Sequence, residues 1–557
     1  MVSKSTPELY IYVMNKTLLN LTLLGLLQTG IVAQSGLQTT AERSDYTSTS
    51  TSTEVSSFLS ELAAHSTLCR VETLATTLSG KPVPLLVIAD PLPASAAKLK
   101  SDKRIVIYIQ ANIHAGEVEG KEASLMLARE LITTEDRRWL DHVILLICPD
   151  LNPDGNDQIS TLNRTNQNGP KNGVGVRHNG QYLDLNRDAM KLETPEMRGV
   201  VTRVLNRWDP AVIVDCHTTN GSFHEEPVTF TWMMNPNGDT SLIHHMRDIM
   251  MPGISSILRE QYGIENCFYG EFVDMAKPDL GWEMAGPEPR YFDNYVGLRN
   301  RLAILNENYV YADYKTRVQG CHALLRSILE YASANREEIK EWLEKADRST
   351  VLKGMDPSAK DSFAVAFGVR PNPKNITINA FEVEETGDTL FWNKYRRTDR
   401  KMQVTVPYLA DYYPSACIKF PYAYLLNVTD TMYRDFLRLH GIQVEQLAVE
   451  QEIEVEAFVI NEIISARRLN QGHYTNTVKG EYQKEKISFP AGIWVVLTAQ
   501  PLGNLAAYLL EPQSDDGMAV WNMFDRYLVP QWGPGYYPWP VYRVMEKVMM
   551  KTANAEP

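Results

Sequence analysis

His114 and Glu117 stand three residues apart just after the apolar run Arg104–Gln110, and His217 directly follows a second apolar run, Ala211–Cys216. Two imidazoles and one carboxylate form a catalytic zinc donor set, because three protein ligands leave one coordination position for water or substrate. A ligand pair three residues apart can turn both side chains toward one ion where a strand breaks into a turn. The third ligand must then arrive from the end of a different strand. These residues predict a metal centre with an open position, and an open position implies catalysis.

The elements that must carry these residues alternate. Arg104–Gln110, Val143–Cys148, Ala211–Cys216 and Leu302–Asn306 are short continuous apolar runs, the pattern of strands buried on both faces. Between and after them, Lys121–Leu131, Ser241–Tyr262 and Tyr314–Ala332 have helical spacing, as does a segment from Pro195 to about Trp208 with Thr194 as its N-cap. The alternation predicts an α/β fold: a mainly parallel mixed sheet with helices on both faces. In such sheets ligands bind beyond the carboxyl ends of the strands at the topological switch point. His114, His217 and Glu307 all lie just past predicted strand ends. After the charged helical segment Arg336–Lys353 the pattern changes. Asn375–Glu385, Lys401–Tyr408, Ile453–Ile460 and Ile487–Ala499 alternate as strands, with a short helix near Thr429–Leu439, which predicts a C-terminal β-rich domain. Glu511–Asp516 reads as a solvated or capped turn, with a Ca²⁺ or substrate contact as the alternative.

Five motifs in order, His114-Ala-Gly-Glu117, Asn152-Pro-Asp-Gly155, Asp184-Leu-Asn-Arg187, Asp215-Cys-His217 and Leu305-Asn-Glu307, resemble those of the zinc metallocarboxypeptidases of the carboxypeptidase A type, over roughly Phe58 to Tyr331. The resemblance implies one zinc ion per chain on His114, Glu117 and His217, with Asp184 fixing the tautomer of the first histidine. It implies Glu307 as general base and Asn186 with Arg187 as the clamp for a substrate's C-terminal carboxylate. Arg164 or Arg177 would be the cation for the tetrahedral oxyanion, Arg164 being the nearer match by distance to Asn186. Tyr291 or Tyr295 would be the aromatic that closes over substrate. The side-chain preference at the cleaved residue is not legible in the sequence.

The 557 residues exceed one ordinary domain, and 44% hydrophobic with 22% charged residues is an ordinary globular balance. A net charge of −13 with no basic run argues against nucleic acid as a partner. Six cysteines are too few for a disulfide framework and leave the compartment open. From Met14, a short basic region, the apolar stretch Leu18–Leu27 and Ala33-Gln-Ser35 predict a secretory signal peptide, with Met1–Val13 as an upstream extension. The expected organisation is a signal at 1–35, a polar linker at 36–57 containing the run Thr47–Thr53, a catalytic domain at 58–335, a connector at 336–370 and the β-rich domain at 371–557. The product would be secreted or periplasmic, with no integral membrane segment once the signal is removed.

Three functions are compatible with these residues: a zinc exopeptidase acting on peptide C-termini, a zinc amidohydrolase acting on N-acyl amino acids or cell-wall peptides, and a catalytically silent peptide- or glycan-binding protein. Glu307 weighs against the last, because a binding relic has no use for a base.

Overall fold

The computed structural model describes residues 37–554 apart from 220, 359, 389 and 391–393. The predicted signal peptide lies outside them. Among the described residues no helix is long and apolar enough to cross a membrane.

Among the described residues up to Tyr309 there are ten strands: β1 (Cys69–Thr76), β2 (Pro82–Ile88), β3 (Ile105–Ala111), β4 (Val143–Cys148), β5 (Val212–Thr219), β6 (Val228–Trp232), β7 (Asn266–Phe268), β8 (Glu271–Phe272), β9 (Trp282–Glu283) and β10 (Leu302–Tyr309). Eight of them form one mixed sheet in the order β1-β2-β4-β3-β5-β10-β6-β7. Its centre is parallel: β3 pairs with β4 and with β5, and β5 pairs with β10, all in the same direction. β1, β2 and the β10–β6 pairing supply the antiparallel part. The four continuous apolar runs are thus the four central parallel strands, each buried along nearly its whole length. Helices Glu119–Thr133, Met251–Tyr262 and Tyr314–Ala334 flank the sheet and pack on one another. Thr194 caps its helix as expected, accepting from Met197 N–H.

The chain goes from β3 through a helix to β4 on one side, then crosses to β5 on the other. The crevice beyond the carboxyl ends of β3, β5 and β10 is therefore where the strand order reverses. Three neighbouring parallel strands deliver their ends to one place.

Two expectations on organisation need correction. The polar run Thr47–Thr53 is not a tether. The helix Glu119–Thr133 buries Lys121 and Glu122 completely, and buried charges must find partners. Thr49 Oγ1 and Ser50 N–H donate to Glu122 at 2.9 and 2.6 Å, and Lys121 donates to the Ser50 carbonyl. The run then caps the helix Ser52–Ala64 through a reciprocal Thr51–Glu54 pair. A polar stretch is here a lid on buried charge.

The second correction concerns the C-terminal half, which is β-rich as expected but is not cleanly separated. Helix Arg336–Met355 follows Tyr314–Ala334 after the single residue Asn335, and a strand already begins within the expected connector. That strand, β11 (Ser362–Pro371), and the hairpin β12 (Ile376–Glu385) and β13 (Tyr395–Val406) precede β14 (Tyr408–Lys419). β14 pairs with β9, so β11, β14, β9 and β8 form one sheet built from both halves of the chain. The last sheet contains seven strands in the described residues, among them the long hairpin of Gln451–Ser465 and Asn476–Phe489. The expected strand Ile487–Ala499 is two strands, because Gly492 adopts φ +99° between Phe489 and Trp494 and turns the chain. Glu511–Asp516 is neither solvated nor a cation loop. Glu511 accepts from the Tyr424 and Tyr482 hydroxyls at 2.8 and 2.6 Å, and Asp516 accepts from Trp521 Nε1 at 2.8 Å and pairs with Arg290.

Candidate active site

β3 ends at Ala111, and Asn112 takes a left-handed conformation, φ +61°, tied through its amide to Asp150 at 2.7 Å and Asn156 at 2.9 Å. That turn throws His114 across the strand ends. Glu117 follows one tight turn later, its N–H on the His114 carbonyl at 2.9 Å. Gly116 is required between them: a Cβ there would lie 2.4 Å from Arg164 Cδ and 3.0 Å from the Gly175 carbonyl oxygen. His217 and Glu307, expected just past their strand ends, lie inside β5 and β10, because each strand continues beyond its apolar run, to Thr219 and Tyr309; the two residues are direct register partners. Parallel neighbours in register point their side chains the same way, which brings base and ligand side by side.

The donor atoms converge. His114 Nδ1 lies 3.2 Å from Glu117 Oε1 and 3.1 Å from His217 Nδ1, and His217 Nδ1 lies 2.9 Å from Glu117 Oε2. Bonds of about 2.0–2.1 Å at tetrahedral angles place donor atoms about 3.3 Å apart, so this triad fits a zinc ion. The far ring nitrogen of His114 is hydrogen-bonded to Asp184, Nε2 to Oδ1 at 3.0 Å, whereas His217 Nε2 lies 3.0 Å from Asp215 Oδ2 as an ion-pair contact outside hydrogen-bond geometry. The Asp184 bond directs the His114 Nδ1 lone pair inward. Asp184 was expected from sequence. Asp215 was not, although it stands two residues before His217 in the same strand, and period-two alternation puts both side chains on one face.

Residues 55–218 match the family model described as zinc carboxypeptidase. The chain carries a zinc-carboxypeptidase domain. The zinc-carboxypeptidase domain is a zinc-dependent hydrolase unit, and the His114, Glu117 and His217 triad is its metal site. Over the wider chain, "Carboxypeptidase 2" from Trichophyton equinum is 22% identical across 453 residues, covering 77% of this chain and 76% of the relative. Its namesake from Trichophyton rubrum is 21% identical over 447 residues, with the same coverage. A metallo-carboxypeptidase structure from Burkholderia cenocepacia aligns at TM-score 0.36 with 16% identity, over 51% of this chain and 69% of its own.

Around the triad lies a cavity of about 230 Å³ lined by, among others, Arg177, Asn186, Arg187, Tyr291, Asp293 and Glu307. Arg187 stacks its guanidinium 4.4 Å from the centre of the Tyr291 ring, and Asn186 Oδ1 accepts from Phe292 N–H at 3.0 Å. Tyr295 is not there. It is fully buried on the helix Phe292–Leu298 with its hydroxyl 2.8 Å from His440 Nδ1; Tyr291 is the extended N-cap of that helix (ψ 128°), so its side chain does not follow the helical face that carries Tyr295 into the interface with the C-terminal half.

The two arginines differ in placement. Arg164 donates to Glu117 Oε1 at 2.9 Å and to the Thr218 carbonyl at 3.3 Å, behind the ligand. Arg177 pairs with Asp184 at 2.8 Å, lies 3.2 Å from His114 Nδ1 and faces the cavity. Burial works to raise the Asp184 carboxyl, but the His114 ring, Arg177 and Arg187 hold it far below the usual range. Burial pushes Glu307 up to about 8, His217 pulls it down and the Glu117 carboxylate adds to the rise. A cation on the triad would draw it back down. Burial also pushes Asp293 up to about 7, and one of its oxygens has no hydrogen-bond partner.

One contact comes from far along the chain. Gln471, at the tip of the hairpin joining Gln451–Ser465 to Asn476–Phe489, accepts the Asp184 backbone N–H on its side-chain oxygen at 2.7 Å. Two residues on, His473 Nε2 lies 2.7 Å from Glu193 Oε1. The C-terminal half thus touches the segment that carries Asp184, Asn186 and Arg187. Nothing in the local sequence around Gln471 signals this.

Proposed function

We propose that the protein is a secreted zinc carboxypeptidase that removes residues from the C-termini of peptides. The observation that carries this reading is the shape of the charge in one cavity: the triad and Glu307 on one side, the Asn186–Arg187 pair beneath Tyr291 on another. A bidentate guanidinium matches a free carboxylate, and stacking on Tyr291 presets its plane. The Trichophyton relatives, both named Carboxypeptidase 2, support the same activity. The predicted leader supports secretion.

Bound by His114, Glu117 and His217, zinc would supply Lewis acidity for the scissile carbonyl and for the attacking water. Glu307 takes the proton from that water and passes it to the leaving amine, a role suited to a carboxylate raised by burial. Arg177 donates to the oxygen that becomes negative. Arg164 acts through Glu117, holding the ligand carboxylate in place. Asp184 keeps the His114 imidazole in the tautomer that presents Nδ1, and the Asp215 carboxylate beside His217 Nε2 favours its positive charge.

The test is release of amino acids from matched peptides with free and amidated C-termini, with and without a chelator. Chelator-sensitive release from the free-acid peptides alone is expected. Equal cleavage of the amidated peptides would overturn the exopeptidase assignment, and cleavage only of acylated amino acids would replace it with the amidohydrolase one.

A further inference from the structure

A second donor cluster lies on the other side of β6 from the strand-end crevice. His224 and Glu226 sit in the segment between β5 and β6, and Cys267 sits in β7, where it is the neighbour of Thr229 in register. All three are buried, at 2%, 2% and 7% exposure, and one donor atom from each lies within 4.8 Å of the others. His224 Nδ1 and Glu226 Oε2 are 3.4 Å apart, yet neither atom has a hydrogen-bond partner. Two buried polar atoms that face each other without bonding are costly unless something lies between them. The separation is close to the edge of a coordination tetrahedron, about 3.3 Å for nitrogen and oxygen donors.

We infer that His224, Glu226 and Cys267 form a second zinc site, completed by one water from the adjoining cavity; that cavity carries none of Asn186, Arg187 or Glu307, so the ion serves to fasten the fold. The donor set is chemically suited: imidazole, carboxylate and thiolate are the three zinc ligand types, and the sulfur favours zinc over hard cations. Charge balances as well. Cys267 would release its proton to solvent on binding, and thiolate, carboxylate and Zn²⁺ then sum to zero, which removes the main cost of burying them. Outer contacts are already in place. Glu226 Oε1 accepts from both Asn379 N–H and Asn379 Nδ2 at 2.9 Å, and the His224 ring lies tilted against Tyr309 with ring centres 3.9 Å apart. Cys267 also lines a cavity of about 300 Å³ bordered by Arg259, Asn372 and Ile376, which gives an ion a way in.

The position explains the use. His224 bridges to Ala380 of β12, and Glu225 N–H donates to the Asn379 carbonyl at 2.7 Å. An ion here would fasten the catalytic sheet to the β12–β13 hairpin just where two short backbone contacts hold them.

Cobalt distinguishes the two sites, because the catalytic triad contains no sulfur and a thiolate ligand gives Co²⁺ a near-ultraviolet charge-transfer band. The full chain, stripped by chelation, is titrated with Co²⁺. Two equivalents bound, with a thiolate band that Cys267→Ser abolishes and that persists in the double variant His114→Ala, His217→Ala, is the expected result. Glu226→Gln, which keeps the side chain's shape, should weaken the band-forming equivalent by at least about tenfold, and it serves if Cys267→Ser does not fold. One equivalent with no thiolate band in folded wild type would overturn the proposal. So would a band that survives Cys267→Ser. Because the band is read without substrate, it stands or falls separately from the peptidase assignment.

Discussion

Asp184 is the residue on which most of the active site converges, so its replacement gives the sharpest test. Its Oδ1 receives His114 Nε2 at 3.0 Å and Asn186 N–H at 2.9 Å, and its Oδ2 receives Arg177 Nε at 2.9 Å. In Asp184→Asn only one end of the amide accepts. If oxygen stays toward His114, the amide NH₂ confronts Arg177, whose side chain is 45% exposed and can turn to solvent. The imidazole contact survives and only its charge assistance is lost. In Asp184→Ala the imidazole loses its orienting partner altogether. Losing a carboxylate behind a metal-bound histidine costs about 10–100-fold in metal affinity, or about 1.4–2.8 kcal/mol at 1.4 kcal/mol per tenfold. Asn should fall near the lower end and Ala near the upper. Competition against a chromophoric zinc chelator measures both, with circular dichroism to verify folding. A folded Ala variant that holds zinc as tightly as wild type would refute the assigned role, and the geometry around His114 would then need another explanation.

Glu307→Gln should lower kcat by about 10²–10⁴ while zinc content, read by elemental analysis, stays the same; undiminished turnover would remove it as the base. Arg177→Ala should reduce kcat by about 10²–10³, whereas Arg164→Ala should act mainly on zinc retention, and the reverse pattern in paired kinetic and metal assays would exchange their roles. Glu196 provides a pH test away from the metal. Burial raises its carboxyl from 4.5 to about 7, so between those values the folded chain holds a proton that the unfolded chain releases. Stability from this group is full below pH 4.5 and is lost as pH rises toward 7. Glu196→Gln should therefore flatten the Tm profile across that window, and an unchanged slope would show that another group sets it.

The parts of the site legible in the sequence were those set by local periodicity. Four continuous apolar runs identified the central strands, and a ligand or base at a strand end needs only that strand to be placed. Asn186 and Arg187 were pointed to by the family resemblance at the four-residue motif Asp184-Leu-Asn-Arg187. What stayed hidden depends on long-range contact. Tyr291 and Tyr295 are four residues apart and look equivalent as a string, but only the fold shows that one faces the cavity and the other His440. Thr47–Thr53 looks like a linker until Lys121 and Glu122 are seen to be buried beneath it. Asp215 was recoverable, since the i and i+2 positions of a strand share a face. Gln471 was not, because no pattern within the hairpin refers to Asp184.

That last contact also orders events in time. Asp184 and Gln471 are 287 positions apart, and the partner that receives the Asp184 N–H is made later. At about 5–20 residues per second, synthesis leaves an interval on the order of 15–60 s between them. During it the ligand-bearing strands have already left the ribosome, while the segment holding Asp184 and Arg187 still lacks its brace. The nascent catalytic half therefore spends its first moments with its substrate-facing loop incompletely fastened, and the finished arrangement is available only once nearly the whole chain exists.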